Sequence, residues 1–492
     1  MSTQIIGREL TEGELRGQRI QDWLRHPLTW ILVAVVVGLY VGSFAGGLGQ
    51  RQTKLLMGIA YLFVLFRFPL YIGTGIFLLL YSFPTNIQLG NTNFIFTAFM
   101  LVAWMIRSSL GAEARPRRTY LDAAIIAYVA VHLLSLTQVE TPYAMSKSLF
   151  ALRHLLVPIG FYYVFVNTAR SERKLFFLTR MLTISALLLF IPAFLQRFAP
   201  TVPYLPAWYS SAFGARDVFA TETTHRIGGV FSHDLLGDFA AITCTTQAFF
   251  AIHARGRPIW RVLHWLLAAV SIYAISLTGN RGALASLLVG LMGFIIVFSR
   301  EIRPRRVFFV LLGLFAVLMI GEQTLTRFEG NVTLLSRVFD TYFERGIPDT
   351  RITVWRYVWG RIADKPFLGH GPYYSLTGEA LGERVFWPHN AFLFYFFSVG
   401  IIGLSCFIYL VWRVMKRVWV GWGLEVGRIS FARGVAAVMG VAIVQSLVSQ
   451  MRTDHQRGDV YIYFIWILFA FGILARQIWE DQKRERASLP RR

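Results

Sequence analysis

The chain has 492 residues, of which 55% are hydrophobic and only 15% are charged, and its formal net charge is +22. A soluble domain would carry about 25% charged residues, so this composition excludes an ordinary soluble enzyme. The basic residues are spread over loops between apolar runs and form no single stripe, which argues against a nucleic-acid partner. The two cysteines both lie inside apolar runs, so the sequence predicts neither a disulfide framework nor a cysteine-ligated metal cluster.

Apolar runs of roughly 15–22 residues recur along the whole sequence, and each approaches the length that crosses about 30 Å of hydrocarbon. They predict an all-α polytopic membrane protein with twelve to fourteen transmembrane helices. Arg67 and Pro69 interrupt the second and third runs, which could form one bent element, and the count is therefore a range. The runs are 28–48, 54–66, 68–84, 93–106, 120–137, 148–167, 175–197, 234–253, 262–279, 282–299, 307–320, 391–413, 430–449 and 459–476.

Lysine and arginine concentrate in alternate short loops, whereas the loops 85–92 and 138–145 contain neither residue. The positive-inside rule then places both termini in the cytoplasm. We predict a cytoplasmic N-terminal tail over 1–27, a transmembrane domain over 28–476 and a basic cytoplasmic tail over 477–492. The tail before the first apolar run has no apolar core of its own, so that run is expected to act as the insertion signal. The polar stretches 200–233 and 321–389 become external loops.

These two external stretches are rich in arginine and almost free of lysine. Their arginines are Arg216, Arg226, Arg327, Arg337, Arg345, Arg351, Arg356, Arg361 and Arg384. Arg281, in the turn between two apolar runs, is predicted at the same outer surface. One interpretation is tolerated surface charge. The other is an anion site, because guanidinium groups bind phosphate bidentately and tolerate desolvation better than ammonium groups do. A pyrophosphate at the outer leaflet would suit this chemistry.

Residues 349–365 have the pattern of a short amphipathic helix. Asp349 is a candidate N-cap, and Lys365 and Pro366 end the pattern before a glycine-rich turn. The apolar positions that recur at helical spacing are Ile352, Trp355, Val358, Trp359 and Ile362. We expect the apolar face of this helix to pack on the membrane domain or to lie at the lipid interface.

The chain has ten histidines. Five of them are predicted to lie on the outer side of the membrane, namely His225, His233, His370, His389 and His455. His389 follows a proline and stands directly before an apolar run, at the mouth of the membrane domain. An imidazole, with an ordinary pKa near 6.5, suits a general base. The alternative role is that of a capping or interfacial residue. Asp234 and Asp238 share one helix face, but no histidine stands at ligand spacing from them. We predict no metal and no cofactor.

Taken in order, these motifs resemble those of the O-antigen ligase/polymerase superfamily of bacterial envelope glycosyltransferases. The resemblance covers roughly Arg226 to Trp412. Each motif is weak by itself, and the specificity comes from their order around one large external loop. The matching segments are 226–234, 278–283, Arg351 with Trp355, 366–371, 389–393 and 400–403.

The resemblance implies metal-independent, inverting glycan transfer at the outer face of the inner membrane. The donor would be an undecaprenyl-pyrophosphate-linked glycan, and the acceptor a hydroxyl of another glycan or of lipid A-core. His389 would be the base, Arg226 and Arg281 would bind the pyrophosphate and stabilise the leaving group, and Arg351 would be a third contact. External loops 200–233 and 321–389 would then form the active-site region.

Ligase and polymerase stay open as alternatives, because they differ in the acceptor, which these motifs do not report. A transporter or flippase for lipid-linked saccharide is a second hypothesis. Transporters usually pair broken helices in two halves of the chain, whereas here the polar residues concentrate in one external loop. A membrane scaffold is a third hypothesis, but it gives no reason for loops rich in arginine and poor in lysine.

Overall fold

The computed structural model describes residues 50–83, 86–87, 90–199, 227, 233–254, 258–300, 312–313, 315–323, 334, 338, 349–372, 388–421, 423–424, 429–452 and 459–488. The predicted apolar run 28–48, both extreme termini and most of the two external stretches lie outside the described residues.

The described elements are nearly all helical. In the first 200 residues they are α1 (Gln50–Arg67), α2 (Leu70–Leu80), α3 (Thr92–Ser109), α4 (Asp122–Ser135), α5 (Pro142–Thr168) and α6 (Glu172–Phe198). Strands β1 (Asn86–Ile87) and β2 (Gly90–Asn91) form a short antiparallel hairpin between α2 and α3. The later helices are α7 (His233–His253), α8 (Pro258–Thr278), α9 (Arg281–Val297), α10 (Asp349–Asp364), α11 (Ala391–Val418), α12 (Phe431–Gln450) and α13 (Asp459–Ser488).

Seven of the described helices are long and apolar enough to cross a membrane, and they are α5, α6, α7, α8, α11, α12 and α13. Helices α2, α4 and α9 are apolar but shorter. The chain is therefore an all-α, multi-pass membrane protein, and the predicted fold class is confirmed. The total of twelve to fourteen spans stays a prediction.

The predicted break at Arg67 and Pro69 separates two helices. Helix α1 ends at Arg67, and α2 begins at Leu70, directly after Pro69, whose backbone nitrogen has no hydrogen to donate. Arg107 of α3 binds the end of α1 at this break: its Nη1 donates to the carbonyl oxygen of Leu65 at 2.8 Å. The two apolar runs are thus separate elements rather than one continuous helix.

Helix α7 lies at the centre of the bundle and is almost wholly buried, with α8, α9 and α12 packed around it. Gln445 of α12 ties three of these helices together. Its Nε2 donates to the carbonyl oxygens of Ala241 on α7 and Ser286 on α9, both at 3.2 Å. The Ser286 hydroxyl donates back to the Gln445 carbonyl oxygen at 3.1 Å. Polar side chains inside the hydrocarbon region therefore fix the register of the helices whose ends carry the candidate site.

The helical bundle has two ends, each named here after one of its residues. The His389 end is formed by the starts of α7, α9 and α11 and the ends of α8 and α12, and α10 covers part of it. The Glu172 end is the opposite one, where α6, α8 and α12 begin and α7 ends.

The amphipathic helix α10 packs on the membrane domain through its apolar face. Val354, Val358 and Ile362 form a small buried cluster with Leu393 and Phe397 of α11. Of the two placements expected from the sequence, packing on the membrane domain is therefore the one observed.

Helix α11 contains a break at Gly400, where φ is 69°. The backbone of the turn that follows α10 packs against α11 at this break and forms hydrogen bonds with it. The N–H groups of Ile401 and His370 donate to the carbonyl oxygens of Pro366 and Phe397 at 2.9 and 3.1 Å. A Cβ on Gly400 would lie 2.1 Å from the carbonyl oxygen of Phe367, so only glycine fits. The glycine-rich motifs 366–371 and 400–403 therefore hold α10 against α11.

Candidate active site at the His389 end

Arg281 is the first residue of α9, and the turn before it is fixed by Asn280. The Oδ1 of Asn280 accepts hydrogen bonds from the backbone N–H groups of Gly282 and Ala283 at 3.1 and 3.2 Å, which caps the helix. The Nδ2 of the same side chain donates to the carbonyl oxygen of Asp234 at 2.9 Å. One asparagine thus sets the position of Arg281 relative to the start of α7.

Arg452, just after α12, bridges the two aspartates at the start of α7. Its Nη1 lies 3.3 Å from Oδ1 of Asp234, and its Nη2 lies 3.4 Å from Oδ1 of Asp238. The Asp238 side chain is 4% exposed and that of Arg452 is 23% exposed. A buried carboxylate needs a compensating charge, and Arg452 supplies it. The carboxylates four residues apart therefore hold a guanidinium group.

Arg452 also packs directly on the first turn of α9. A Cβ on Gly282 would lie 1.6 Å from the Nε of Arg452, so the glycine makes room for the guanidinium group. The N-terminus of a helix carries partial positive charge and favours anions. A cation held there adds to that positive potential, and the two aspartates offset part of it.

Arg351, in the first turn of α10, interacts with the same charges. Burial lowers the pKa of its guanidinium group, the positive charges of Arg452 and Arg281 lower it further, and Asp234 opposes them. Arginine stays protonated in proteins despite such shifts. Arg351 therefore lies within electrostatic reach of Arg452, Asp234 and Arg281.

We call Arg281, Arg351, Arg452, Asp234 and Asp238 the arginine cluster. It contains three guanidinium groups and two carboxylates, of which Arg452 contacts both carboxylates, so these five residues together carry an excess of positive charge. Like charges held together in a partly buried place repel one another, and an anion between them would relieve the repulsion. The cluster is suited to bind a phosphate or pyrophosphate group.

His389 is exposed at the start of α11 and has a φ of 48°, a conformation that is uncommon outside glycine. The residues on both sides of it are held. The Nε1 of Trp355 donates to the carbonyl oxygen of Pro388 at 2.7 Å, and the Oδ1 of Asn390 caps α11 by accepting from the N–H of Leu393 at 3.1 Å. The backbone that carries the imidazole is therefore fixed from both directions.

Helix α10 connects the histidine with the arginine cluster. Arg351 and Trp355 are four residues apart, which places them on one face and about 6 Å apart along the helix axis. Arg351 takes part in the cluster, while Trp355 holds the backbone next to His389. The motif of an arginine and a tryptophan at this spacing thus positions both halves of the candidate site.

His370, another histidine of the outer side, has a packing role. Its ring packs against that of Phe397 at a tilt of 31° with centroids 4.9 Å apart, and its Nε2 lies 2.8 Å from the carbonyl oxygen of Arg361. Burial lowers the pKa of His370, partly offset by this backbone contact. The side chain joins α10 to α11 and leaves His389 as the exposed imidazole among the described residues near the cluster.

Of the residues predicted from the sequence, Arg281 and Arg351 lie within electrostatic reach of each other, and α10 links Arg351 to the backbone next to His389. Arg226 lies outside the described residues; its neighbour Ile227 is buried, and the Ile227 N–H donates to the carbonyl oxygen of Leu277 at 3.3 Å. Arg452 was not among the predicted residues. The signal that could have found it is an arginine two residues past the end of α12, an apolar helix that contains two glutamines, Gln445 and Gln450.

The described residues contain no group of three or more His, Cys, Asp or Glu side chains placed to hold a metal ion. Asp234 and Asp238, the acidic pair noted in the sequence, are instead bound to Arg452. The polar chemistry described at this end is therefore that of guanidinium groups, carboxylates and one imidazole.

These observations define a multi-pass membrane protein with a cationic site and an exposed histidine at one end of its helical bundle. Residues 266–408 match the family model described as O-antigen ligase. The matched segment contains Arg281, Arg351, Trp355, His389 and the glycine-rich motifs, and the predicted resemblance to the O-antigen ligase/polymerase superfamily is confirmed. No curated protein matches the chain. The family match supports glycan transfer of the ligase or polymerase type.

Proposed function

We propose that the protein is an inverting glycosyltransferase that moves a glycan from an undecaprenyl-pyrophosphate carrier to an acceptor hydroxyl. The observation that carries this proposal is that the single helix α10 connects the arginine cluster, through Arg351, with the backbone next to the exposed His389, through Trp355. A lipid-linked pyrophosphate is an anion located at the membrane surface, where this cluster lies. The family match over residues 266–408 supports the same chemistry.

In the proposed reaction, the imidazole of His389 removes the proton from the acceptor hydroxyl as its oxygen attacks the anomeric carbon. The bond between that carbon and the pyrophosphate oxygen breaks, and the pyrophosphate leaves on its lipid carrier. Attack from the face opposite the leaving group inverts the anomeric configuration. Loss of a positioned general base typically costs about 10²–10⁴ in rate.

The arginine cluster stabilises the negative charge that develops on the leaving group. Arg281 and Arg351 donate to the pyrophosphate oxygens, with Arg226 as a further contact. Arg452 is already paired with two carboxylates, so its role is to hold the start of α9 and to add positive potential. No metal ion or cofactor is part of this mechanism.

The orientation that fits this function is the one predicted from the loop charges, with both termini in the cytoplasm of a bacterium and the His389 end in the periplasm. The Glu172 end carries many basic residues, such as Arg170, Arg173 and Lys174 at the start of α6. Basic residues favour the cytoplasmic side of the inner membrane. The donor glycan would therefore be used after it has crossed to the outer leaflet.

The glycans of a strain without this protein, separated on a gel, would test the proposal. If long polymer persists on the carrier but never reaches lipid A, the protein is the ligase. If single repeat units accumulate, it is the polymerase. Loss of outward display of the lipid-linked saccharide would instead support a transporter. Unchanged glycans, with no redundant copy in the genome, would contradict both enzyme hypotheses.

A further inference from the structure

Helix α10 exposes large apolar side chains on a side that α11 does not cover. Ile352 and Trp359 are two turns apart on one face of the helix, and they are 41% and 55% exposed. Phe367, in the turn that follows the helix, is 67% exposed. We call these three residues the apolar edge. Large apolar residues that are exposed together mark a contact surface for another protein or for a membrane.

The arrangement of residues around α10 shows what α11 leaves uncovered. At about 100° per residue, the apolar residues of the helix occupy about half of its circumference. Val354, Val358 and Ile362 lie on one side of this apolar half and are buried against α11. Trp359 and Ile352 lie on its other side, which is exposed. The exposed residues of the opposite half are polar or small, namely Thr353, Arg356, Gly360 and Asp364.

The apolar edge continues a surface of α11 that faces lipid. The backbone N–H of Ile402 donates to the carbonyl oxygen of Phe367 at 3.3 Å, so Phe367 lies beside Ile402. Ile402 is itself exposed, as are Ile408 and Trp412 further along α11. Helix α11 is long and apolar enough to cross a membrane, and the exposed apolar residues of such a helix contact lipid. The lipid that covers them extends to Phe367.

Distances along α11 give the depth of the apolar edge. The apolar part of α11 ends at Arg413. Counted at the rise of an α-helix, Ile402 lies about 17 Å and Phe396 about 26 Å from Arg413, and the hydrocarbon layer is about 30 Å thick. The rings of Trp359 and Phe396 have centroids 5.7 Å apart. Phe367 is therefore at the depth of the acyl chains, and Trp359 is near the boundary with the headgroups, where tryptophan is enriched.

We propose that the apolar edge inserts into the lipid leaflet at the His389 end and anchors α10 there. Phe367 lies among the acyl chains, and Trp359 lies at their boundary with the headgroups. Ile352, about 10 Å nearer the start of α10 than Trp359, lies at the level of the headgroups, and Arg356 beside it reaches the phosphate layer. Amphipathic helices at a membrane surface bury their apolar face about 5–10 Å into this boundary in the same way.

The anchor also sets the depth of the candidate active site. Ala391, the first residue of α11, lies about 33 Å from Arg413 and thus just outside the hydrocarbon layer. His389 precedes it, and Arg351 belongs to the anchored helix, so both lie at the level of the headgroups. A lipid-linked pyrophosphate lies at the same level. This consequence rests on the proposed function, whereas the contact of α10 with lipid does not.

Fluorescent labels on single cysteines of the full chain in lipid nanodiscs would test the lipid contact. The variants are Ile352→Cys, Trp359→Cys and Phe367→Cys in a Cys406→Ser background, because Cys244 is buried and Cys406 is partly exposed. Nitroxides on the headgroup or on the acyl chain of the lipid quench from the membrane, and iodide quenches from water. We expect the acyl-chain nitroxide to act most strongly at position 367, the headgroup nitroxide at position 352, and both at position 359.

Gly360→Cys is the matched control. It follows Trp359 directly, at nearly the same depth, but it lies on the polar half of α10, and a Cβ there would meet no other atom within 4 Å. Its label should be quenched by iodide and severalfold less by either nitroxide than the label at position 359. Equal lipid quenching at positions 359 and 360 would overturn the proposal.

The same labels distinguish the other occupants of this surface. Strong iodide quenching at positions 352, 359 and 367 would mean that the apolar edge lies in water, where a soluble glycan could cover it. Protection from iodide and from both nitroxides would mean that protein covers it, such as a second copy of the chain. Either result would contradict the lipid anchor.

Photo-crosslinking of the unaltered chain decides the question even if a labelled variant does not fold. The probe is a phospholipid with a diazirine on its acyl chain, in vesicles that contain the protein. Adducts should form on Trp359 and Phe367 as well as on Trp412, an exposed residue of α11 that serves as the positive control. Adducts on Trp412 without any on Trp359 or Phe367 would overturn the proposal.

Discussion

The two ends of the helical bundle both contain many arginines, but they use them differently. At the Glu172 end the described arginines are spread out, and several have a local partner. Arg413 lies over the ring of Tyr120, Arg433 lies over that of Trp479, and Arg417 donates to Oε1 of Glu480 at 2.8 Å. At the His389 end Arg452 contacts two carboxylates, and Arg351 lies within electrostatic reach of Arg452, Arg281 and Asp234.

The two ends therefore differ in the arrangement of their arginines rather than in the number of them. An arginine stacked on a ring or paired with a carboxylate contributes to stability by about 0.5–1 kcal/mol. Converging guanidinium groups cost free energy unless an anion joins them.

His389→Ala is expected to have the largest effect on activity, and it tests whether catalysis takes place at the His389 end of the bundle. Turnover should fall by about 10²–10⁴ because the general base is removed, while the amount of folded protein in the membrane stays the same. The measurement is glycan transfer by purified protein from a lipid-linked donor. His154→Ala is the matched control: His154 packs on Phe150 within α5, away from the arginine cluster. Activity retained by His389→Ala would remove His389 from the mechanism.

Arg452→Gln should have the largest effect on stability. It leaves the buried carboxylate of Asp238 without its counter-charge, and removing one partner of a buried ion pair costs about 3–5 kcal/mol. The lowered stability would be measured as the unfolding midpoint in detergent. Arg361→Gln is the control, because Arg361 pairs with Asp364 at 3.0 Å in an exposed position, and such pairs contribute about 0–1 kcal/mol.

The double variant with Arg452→Gln and Asp238→Asn tests the cause of that loss. An amide at position 238 needs no counter-charge, so the double variant should recover a large part of the stability lost in Arg452→Gln. If the two substitutions are simply additive, Arg452 and Asp238 are not coupled, and the geometry of the arginine cluster would need another explanation.

Much of the fold was predictable from the sequence because the hydrocarbon region imposes a strong and simple pattern. Apolar runs predicted the described transmembrane helices, and Pro69 predicted the break between α1 and α2. The periodicity of residues 349–365 predicted α10, which ends one residue earlier, at Asp364. The helix extends further than expected at the C-terminus, where α13 continues to Ser488 through most of the predicted tail 477–492. Charged residues form helix as readily as apolar ones, so hydropathy alone could not locate that end.

The candidate site was only partly predictable, for a physical reason. Arg281, Arg351 and His389 belong to segments with recognisable local patterns. Arg452 belongs to none, and its importance comes from its contacts with Asp234 and Asp238, more than 200 positions earlier in the chain. The packing of residues 366–371 into the break at Gly400 is likewise a backbone contact between distant segments. Such contacts depend on helix packing, which a single sequence does not report.

Arg281→Lys tests whether the His389 end needs the geometry of guanidinium and not only its charge. An ammonium group cannot bind pyrophosphate bidentately, so kcat/KM for the lipid-linked donor should fall by about 10-fold to 100-fold, the equivalent of one charged hydrogen bond. Arg413→Lys at the Glu172 end is the control and should retain activity, because Arg413 is far from the site. The same reasoning applies to Arg226→Lys. Full activity of Arg281→Lys would reduce Arg281 to a structural residue.

Trp355→Phe is expected to have the smallest effect, and it tests whether α10 positions the histidine. The substitution keeps most of the apolar ring but removes the Nε1 donor to the carbonyl oxygen of Pro388. One neutral hydrogen bond contributes about 1 kcal/mol, so kcat should fall by about 5-fold while KM for the donor changes little. A loss in KM alone would assign Trp355 to substrate binding rather than to the placement of His389.

Trp359→Phe on the same helix is the matched control for that experiment. Trp359 is one turn further along α10, is 55% exposed, and contacts the ring of Phe396 edge-on. A phenyl ring preserves that contact, so kcat should be unchanged if the effect at position 355 comes from the hydrogen bond. Equal losses from both substitutions would mean that the docking of α10 as a whole, and not the bond to Pro388, controls activity. The link between His389 and the arginine cluster would then be the packing of α10 on α11 through Val354, Val358 and Ile362.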